Sequence, residues 1–229
     1  MLANPDLLAL WITFKLALTT SLILIVIGTP LAWWLARTTH FSRVFIEPIV
    51  ALPIVLPPTV LGFYLLLAFA PDGVVGQGWW LLTGEYLAFT FSGLVIGSII
   101  YSLPFYVQPL QVAFENIQQA QLDAAATLGA APLDRFWSVV VPLSRRGFVT
   151  AICLAFAHTI GEFGIVLMIG GNIPGETRVL SIALFDHVES MEYGAAHVLA
   201  MGLLVFSFAL LLLVYSINRH WQMRFAGAR

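Results

Sequence analysis

ENIQQAQLDAAATLGAAPLDRFWSVVVPLSRRGF, residues 115–148, is the longest polar interruption in a 229-residue chain whose remainder is apolar enough to belong in lipid. It carries Glu115, Asp123, Asp134, Arg135, Arg145 and Arg146 around a block of small residues, Asp123-Ala124-Ala125-Ala126-Thr127-Leu128-Gly129, with Pro132 just beyond. That order predicts helix, turn, helix. Ala124 to Leu128 are good helix formers apart from Thr127, Gly129 suits the left-handed residue that ends a helix, and Pro132 suits the first turn of the next. Asp134 then falls in that helix's first turn, where negative charge is favoured. Taken alone, the spacing also fits an ordinary hairpin between two membrane helices.

Working outward, 60% of the residues are apolar and 10% charged, the proportions of a polytopic membrane protein rather than a soluble domain. The apolar segments predict an all-α chain, one transmembrane domain over residues 1–229, with spans near 16–36, 46–70, 88–112, 149–171 and 195–217 and residues 115–148 as a polar loop. The first segment lacks the basic start and small-residue cleavage site of a secretory signal, so it reads as a retained helix. Lys15 and Trp11 anchor one end of it, and Trp33 and Trp34 the other. The single cysteine, Cys153, lies in an apolar run and reads as a small buried hydrophobe.

Two segments depart from plain apolar helix. The second span contains Pro48, Pro53, Pro57 and Pro58, too many prolines for a straight helix. Backbone groups freed there must face protein or a water-filled cavity, because lipid cannot satisfy them. Pro53, Pro57, Pro58 and Thr59 are therefore a candidate pathway wall, with the hydroxyls of Thr59 and Thr159 as candidate transient donors, and a kink absorbed by packing is the alternative. In the fourth span Glu162 is an acidic residue deep in an apolar run, flanked by Gly161 and Gly164 and preceded by Thr159. An ionisable group at that depth faces the bundle interior, a cavity or a partner. Glu162 either fixes a break in the helix by accepting hydrogen bonds or lines the pathway; an anion path avoids a carboxylate, which favours the first. His158, four residues earlier, shares its helix face and reads as a polar packing partner, with a proton relay as the alternative. Thr177 to Val188 predicts a short interfacial helix, preceded by the loop string Gly171-Asn172-Ile173-Pro174-Gly175-Glu176-Thr177-Arg178.

Basic residues orient the spans. Arg37, Arg43, Arg135, Arg145, Arg146, Arg219, Arg224 and Arg229 fall on one side, whereas Arg178 falls on the other with Lys15 at its boundary. The positive-inside rule then puts the N-terminus outside, the C-terminus in the cytoplasm and residues 115–148 in the cytoplasm. There is no Walker lysine motif, zinc-type spacing or nucleophile triad, so the chain carries no catalytic site, cofactor site or metal site that can be read.

Asp123, Ala124, Ala125 and Gly129, followed by Val139, Val141 and Pro142, resemble the Glu-Ala-Ala signature of ABC importer permeases, with Asp for Glu and Val for the usual Ile and Leu. The strings Gly161 to Gly164, Gly171 to Arg178 and Leu56 to Leu66 are similar to those of molybdate importer permeases within the type I ABC families. The resemblance covers about Leu10 to Arg219. It implies the type I ABC importer permease fold, with about five core spans and a cytoplasmic coupling helix at Asp123 to Gly129 seated on an ATPase subunit. It further implies a homodimer in the bacterial inner membrane, a cytoplasmic ATPase dimer, a periplasmic oxyanion-binding protein and alternating access driven by ATP hydrolysis in the ATPase subunits. Glu176 and Arg178 become candidate contacts for the binding protein; pairing of Arg178 with Glu176 is the alternative. Sulfate, thiosulfate or tungstate permeases of the same plan remain open as alternatives, as does an ion-coupled secondary transporter using Glu162. The last leaves the Ala-Gly helix unexplained, and the chain shows no internal repeat.

Overall fold

A computed structural model describes the backbone of residues 4–226 and the side chains of residues 5–219. Arg224 and Arg229, counted above among the orienting charges, have side chains outside the described residues. The architecture is all helical among those residues: α1 (Asn4–Arg37), α2 (Arg43–Val55), α3 (Pro58–Phe69), α4 (Val74–Thr83), α5 (Phe91–Glu115), α6 (Gln119–Thr127), α7 (Pro132–Arg135), a π turn (Phe136–Val140), α8 (Val141–Gly161), α9 (Gly164–Gly170), α10 (Leu180–Glu189) and α11 (Tyr193–Ala226).

Four helices are long and apolar enough to cross a membrane, and α2 with α3 forms a fifth candidate bent by 113°. Contacts at the two ends of the bundle fix the path. The Lys15 ammonium sits over the Phe91 ring, so α1 and α5 begin at the same end. Arg37 reaches the carbonyls of Phe114 at the end of α5 and of Ile117 just beyond it, so the two helices also finish together and run parallel. Arg43 at the start of α2 pairs with Glu115 at the end of α5, whereas Phe69 at the end of α3 packs with Ile12 and Leu16 near the start of α1. The bent pair therefore makes one net crossing. Just before α11, Glu192 bonds His187, which in turn bonds Asp6, and farther along Asn218 bonds Thr150, so α11 runs parallel to α1.

Helix α5 is the central post, with Tyr106, Val107, Leu110 and Phe114 fully buried. Glycines let neighbouring helices approach as membrane packing requires: a Cβ at Gly97 would stand 2.2 Å from Ile169 and one at Gly28 2.6 Å from Tyr106. Tyr106 OH in turn lies 2.8 Å from Thr29 Oγ1. Thr13 bonds the Ala9 carbonyl and accepts the Leu180 N–H, both at 2.7 Å, tying the start of α10 to α1.

Helix ends differ from the expected spans in one systematic way. Helix α1 begins at Asn4 rather than near residue 16, so Trp11 and Lys15 lie within it. The fourth span begins as helix at Pro132 rather than near residue 149, with Arg145 and Arg146 inside it. Hydropathy marks where lipid is tolerated, whereas a helix continues into water as long as its backbone bonds are made. The short helix expected over Thr177 to Val188 is α10, Leu180–Glu189, and α4 forms within a stretch read as loop.

Candidate functional site

Two places bring the singled-out residues together. The first lies at the Arg37 end. Asp123, Ala124 and Ala125 fall on α6, Gly129 has φ +87°, and Pro132 opens α7 with Asp134 in its first turn. The left-handed φ is the conformation that glycine adopts without strain. Pro142 sits near the start of α8, just past the π turn that contains Val139. Helix α6 buries one apolar residue, Leu122, in a small pocket with Trp33, Pro132, Arg135, Phe136 and Val140. Around it Leu128, Leu133 and Trp137 are largely exposed. The short helix thus has one buried root and an exposed apolar rim.

Arg37 is what holds that end in register, and sequence reading missed it. Its Nη2 donates to the carbonyls of Phe114 at 3.1 Å and Ile117 at 2.9 Å, and its guanidinium lies 5.0 Å from the Trp33 ring centroid. The only local signal was a basic residue at a helix end; its targets are some eighty residues away. Beside it, Arg43 joins Glu47 at 3.1 Å and Glu115 at 2.9 Å, and Gln111 donates to both carboxylates.

The second place is a cavity of about 620 Å³ among α3, α5, α8 and α9, lined by Pro58, Thr59, Tyr101, His158, Glu162 and Met168 among others. Of the pathway candidates, Pro58, Thr59 and Glu162 line it. Pro57 stands at the bend as the residue before α3 and does not. Thr159 lies behind the wall, buried, bonded to the Ala155 carbonyl and to Ser102. The cavity exists because two helices break beside each other: α2–α3 at Leu56 and Pro57, and α8–α9 at Glu162 and Phe163. Gly164 permits the contact, since a Cβ there would stand 2.7 Å from Pro58 Cβ.

Glu162 is buried, and its Oε1 accepts the Ile165 N–H at 2.8 Å, while its own carbonyl accepts from Ser181. It therefore caps α9 and lines the cavity at once. His158 is bonded to Ser102 at 3.0 Å rather than to Glu162. Among the described residues, no Lys or Arg lines this cavity and no group of three metal-ligating side chains occurs.

A family model described as "Binding-protein-dependent transport system inner membrane component" matches residues 28–223. The chain belongs to that family. It is an inner-membrane permease component, multi-pass, of a transport system of the ABC type. The permease is 56% identical over 218 residues to the molybdenum transport system permease protein ModB of Azotobacter vinelandii, covering 95% of this chain and 96% of that one. It is 33% identical over 216 residues to the sulfate transport system permease protein CysT of Synechocystis, covering 94% and 75%. Its fold matches a chain of a bacterial alginate ABC transporter crystallised with alginate pentasaccharide-bound periplasmic protein, at TM-score 0.76 and 15% identity, covering 95% of this chain and 80% of that one. The fold is thus that of an ABC importer permease.

At the Asp6 end, Arg178 is paired with Asp186 at 3.0 Å, not with the neighbouring Glu176. Asp186 also accepts from Asn172, and the Ile173 carbonyl accepts from the N–H groups of Glu176, Thr177 and Arg178. Arg178 therefore holds its own loop against α10, and Glu176 stays exposed. The alternative pairing with Glu176 is thus replaced by one with a carboxylate eight residues on, across a loop that turns at Gly175 with φ +80°.

Proposed function

We propose that this permease carries molybdate inward by alternating access, as two copies of the chain with a cytoplasmic ATPase dimer and a periplasmic oxyanion-binding protein. The observation that carries the substrate reading is 56% identity, end to end, with a molybdenum permease, against 33% with a sulfate permease. Tungstate, nearly alike in size and charge, travels the same route.

The orientation that fits puts the Arg37 end in the cytoplasm. Arg37, Arg43, Arg135, Arg145, Arg146 and Arg219 gather there, whereas Arg178 alone of the arginines in the described residues stands at the other end. Asp123, Ala124, Ala125 and Gly129 then meet the ATPase, the alanines keeping α6 thin enough to enter a groove. Glu176 and the loop that Arg178 stiffens meet the binding protein. The cavity at Pro58, Thr59 and Glu162 is the pathway segment of each copy. A dianion entering a negative-inside cell climbs about 2.3 kcal/mol per charge per 100 mV, which is the work that ATP hydrolysis supplies.

A cavity wall without Lys or Arg cannot grip a dianion at rest, so selection belongs to the binding protein. The test is ATPase activity of the reconstituted complex with molybdate-, tungstate- and sulfate-loaded binding proteins. Stimulation by the molybdate form, lost on Ala125→Glu, is expected. Stimulation by sulfate alone would overturn the substrate and keep the architecture.

A further inference from the structure

His158 lines the cavity one helical turn before Glu162, and its ring is held on three sides. Phe105 stacks on it with centroids 3.8 Å apart and planes 23° apart, and Tyr101 lies at 4.7 Å. On the third side Nδ1 is 3.0 Å from Ser102 Oγ, Ser102 Oγ is 2.9 Å from Thr159 Oγ1, and Thr159 Oγ1 is 2.9 Å from the Ala155 carbonyl.

Those three contacts need three hydrogens. The carbonyl brings none and each hydroxyl brings one. The third hydrogen therefore sits on Nδ1. The chain runs Nδ1–H to Ser102, Ser102 to Thr159 and Thr159 to Ala155; the opposite order would leave two oxygens 2.9 Å apart with no hydrogen between them. With Nδ1 committed as a donor, Nε2 is the basic atom of the ring, a lone pair in the neutral imidazole and an N–H in the cation. The other titratable groups on the wall are Glu162, from the α8–α9 junction, and Tyr101, from α5; α3 contributes Pro58 and Thr59, and α9 Gly164, Leu167 and Met168, none of which titrates.

We propose that His158 is a proton-linked contact for a tetrahedral oxyanion in this cavity. In the resting state its Nε2 lone pair and the Glu162 carboxyl face the cavity, and a dianion finds no donor there strong enough to hold it. When the dianion is delivered, Nε2 takes up a proton from the acid of the bulk buffer, whose conjugate base remains in the medium, and the imidazolium donates a charge-assisted hydrogen bond to the dianion. On release the proton returns to the buffer base. The inference rests on the cavity being the oxyanion pathway, and it accounts for a wall that admits an anion without trapping it.

The experiment uses the whole transporter in proteoliposomes, with ATP and molybdate-loaded binding protein, and measures uptake across about pH 6 to pH 8, which brackets the charge change of a free imidazole. Wild-type uptake is expected to fall as pH rises, at a slope bounded by about tenfold per pH unit for one proton. His158→Gln, which keeps an N–H in the cavity without a titrating ring, is expected to flatten the profile. His158→Asn, which keeps the donor toward Ser102 but lacks Nε2, is expected to lower uptake at every pH with unchanged thermal stability. Parallel profiles for wild type and His158→Gln would overturn the proposal. A second readout is independent of transport: in histidine ¹⁵N spectra of the purified permease, the signals lost in His158→Gln should report hydrogen on Nδ1 alone, and on both nitrogens after molybdate is added. A resting Nε2–H tautomer, or no change with molybdate, would refute the role of His158 even if uptake fails altogether, a failure that would count against the pathway itself.

Discussion

Replacing Arg37 by Met should disconnect α6 from the bundle while leaving the bundle folded. Phe114 stands at the end of α5 and Ile117 in the turn that follows, so neither carbonyl is closed by an α-helical bond, and Arg37 supplies a hydrogen to each. A cation at that terminus also complements the helix dipole. Met keeps most of the aliphatic stem but removes both bonds and the guanidinium that lies over the Trp33 ring. Hydrogen bonds from a charged donor contribute about 1.5–3 kcal/mol each. Two sharing one half-exposed group come to roughly 2–4 kcal/mol, after a reduction for the water that replaces part of the bonding. Because Ile117 and Leu122 are the only buried side chains within residues 116–131, that cost falls on local opening of this segment, raising it by roughly 30- to 1,000-fold.

Amide hydrogen exchange reads this directly. Protection is expected to drop across α6 and the end of α5 while the middle of α5, around Tyr106 and Leu110, keeps its own. ATPase stimulation by loaded binding protein should fall, with basal ATPase unchanged, and Arg37→Lys should recover part of it by serving one carbonyl. Leu122→Ala should mimic Arg37→Met from the other root. If Arg37→Met left exchange in α6 at the wild-type rate, the claim that this side chain sets the register of the coupling end would be wrong.

The remaining expectations concern the cavity and the opposite end. Gly164→Val forces a branched side chain against Pro58, whose ring cannot step aside; the strain of about 1–3 kcal/mol should lower the melting temperature in detergent, and an unchanged value would refute the close approach. His187 lies between Glu192 Oε2 at 2.8 Å and Asp6 Oδ1 at 3.1 Å, and those hydrogen bonds, Glu192's first, raise its pKa above the ordinary histidine value. A raised folded pKa contributes stability in full below the unfolded value near 6.5, and that contribution is lost as pH rises through the folded value. Wild type should therefore lose melting temperature between about pH 6 and pH 9 relative to His187→Gln, and a constant difference between them would show that the clamp does not titrate.

Local chemistry made much of this legible. Gly129 and Pro132 mark where α6 stops and α7 starts because each residue suits one backbone state, and the prolines at 53, 57 and 58 with the glycines beside Glu162 foretold two broken helices. The pairings were not legible, because they join residues far apart in the chain. Arg37 finds Phe114, Ser102 finds His158, and Arg178 passes over Glu176 for Asp186. Helix starts were misplaced for another reason: charged residues such as Arg145 and Arg146 stop a hydrophobic segment without stopping a helix.

That last difference bears on how the two sites communicate. Had the fourth span begun near residue 149, a flexible loop would have separated the coupling residues from the cavity. Instead one helix runs from Pro132 to Gly161, about 45 Å at 1.5 Å per residue, with Asp134 in its first turn and His158 and Glu162 at its far end. Close-packed helices transmit displacement because they have few voids to absorb it. The one irregularity along the way is the π turn at Phe136–Val140, which includes Val139 and is followed directly by Val141 and Pro142. A single turn of that kind is a place where a helix can change its winding. Phe136 in that turn packs edge-on against Trp33, which also carries Arg37, so any rewinding there is felt by the same residues that hold α6. In the proposed coupling no loop has to tighten: motion imposed on α6 would enter the helix at its base, and the break at Glu162 would convert it into a shift of α9 against Pro58, where the cavity lies.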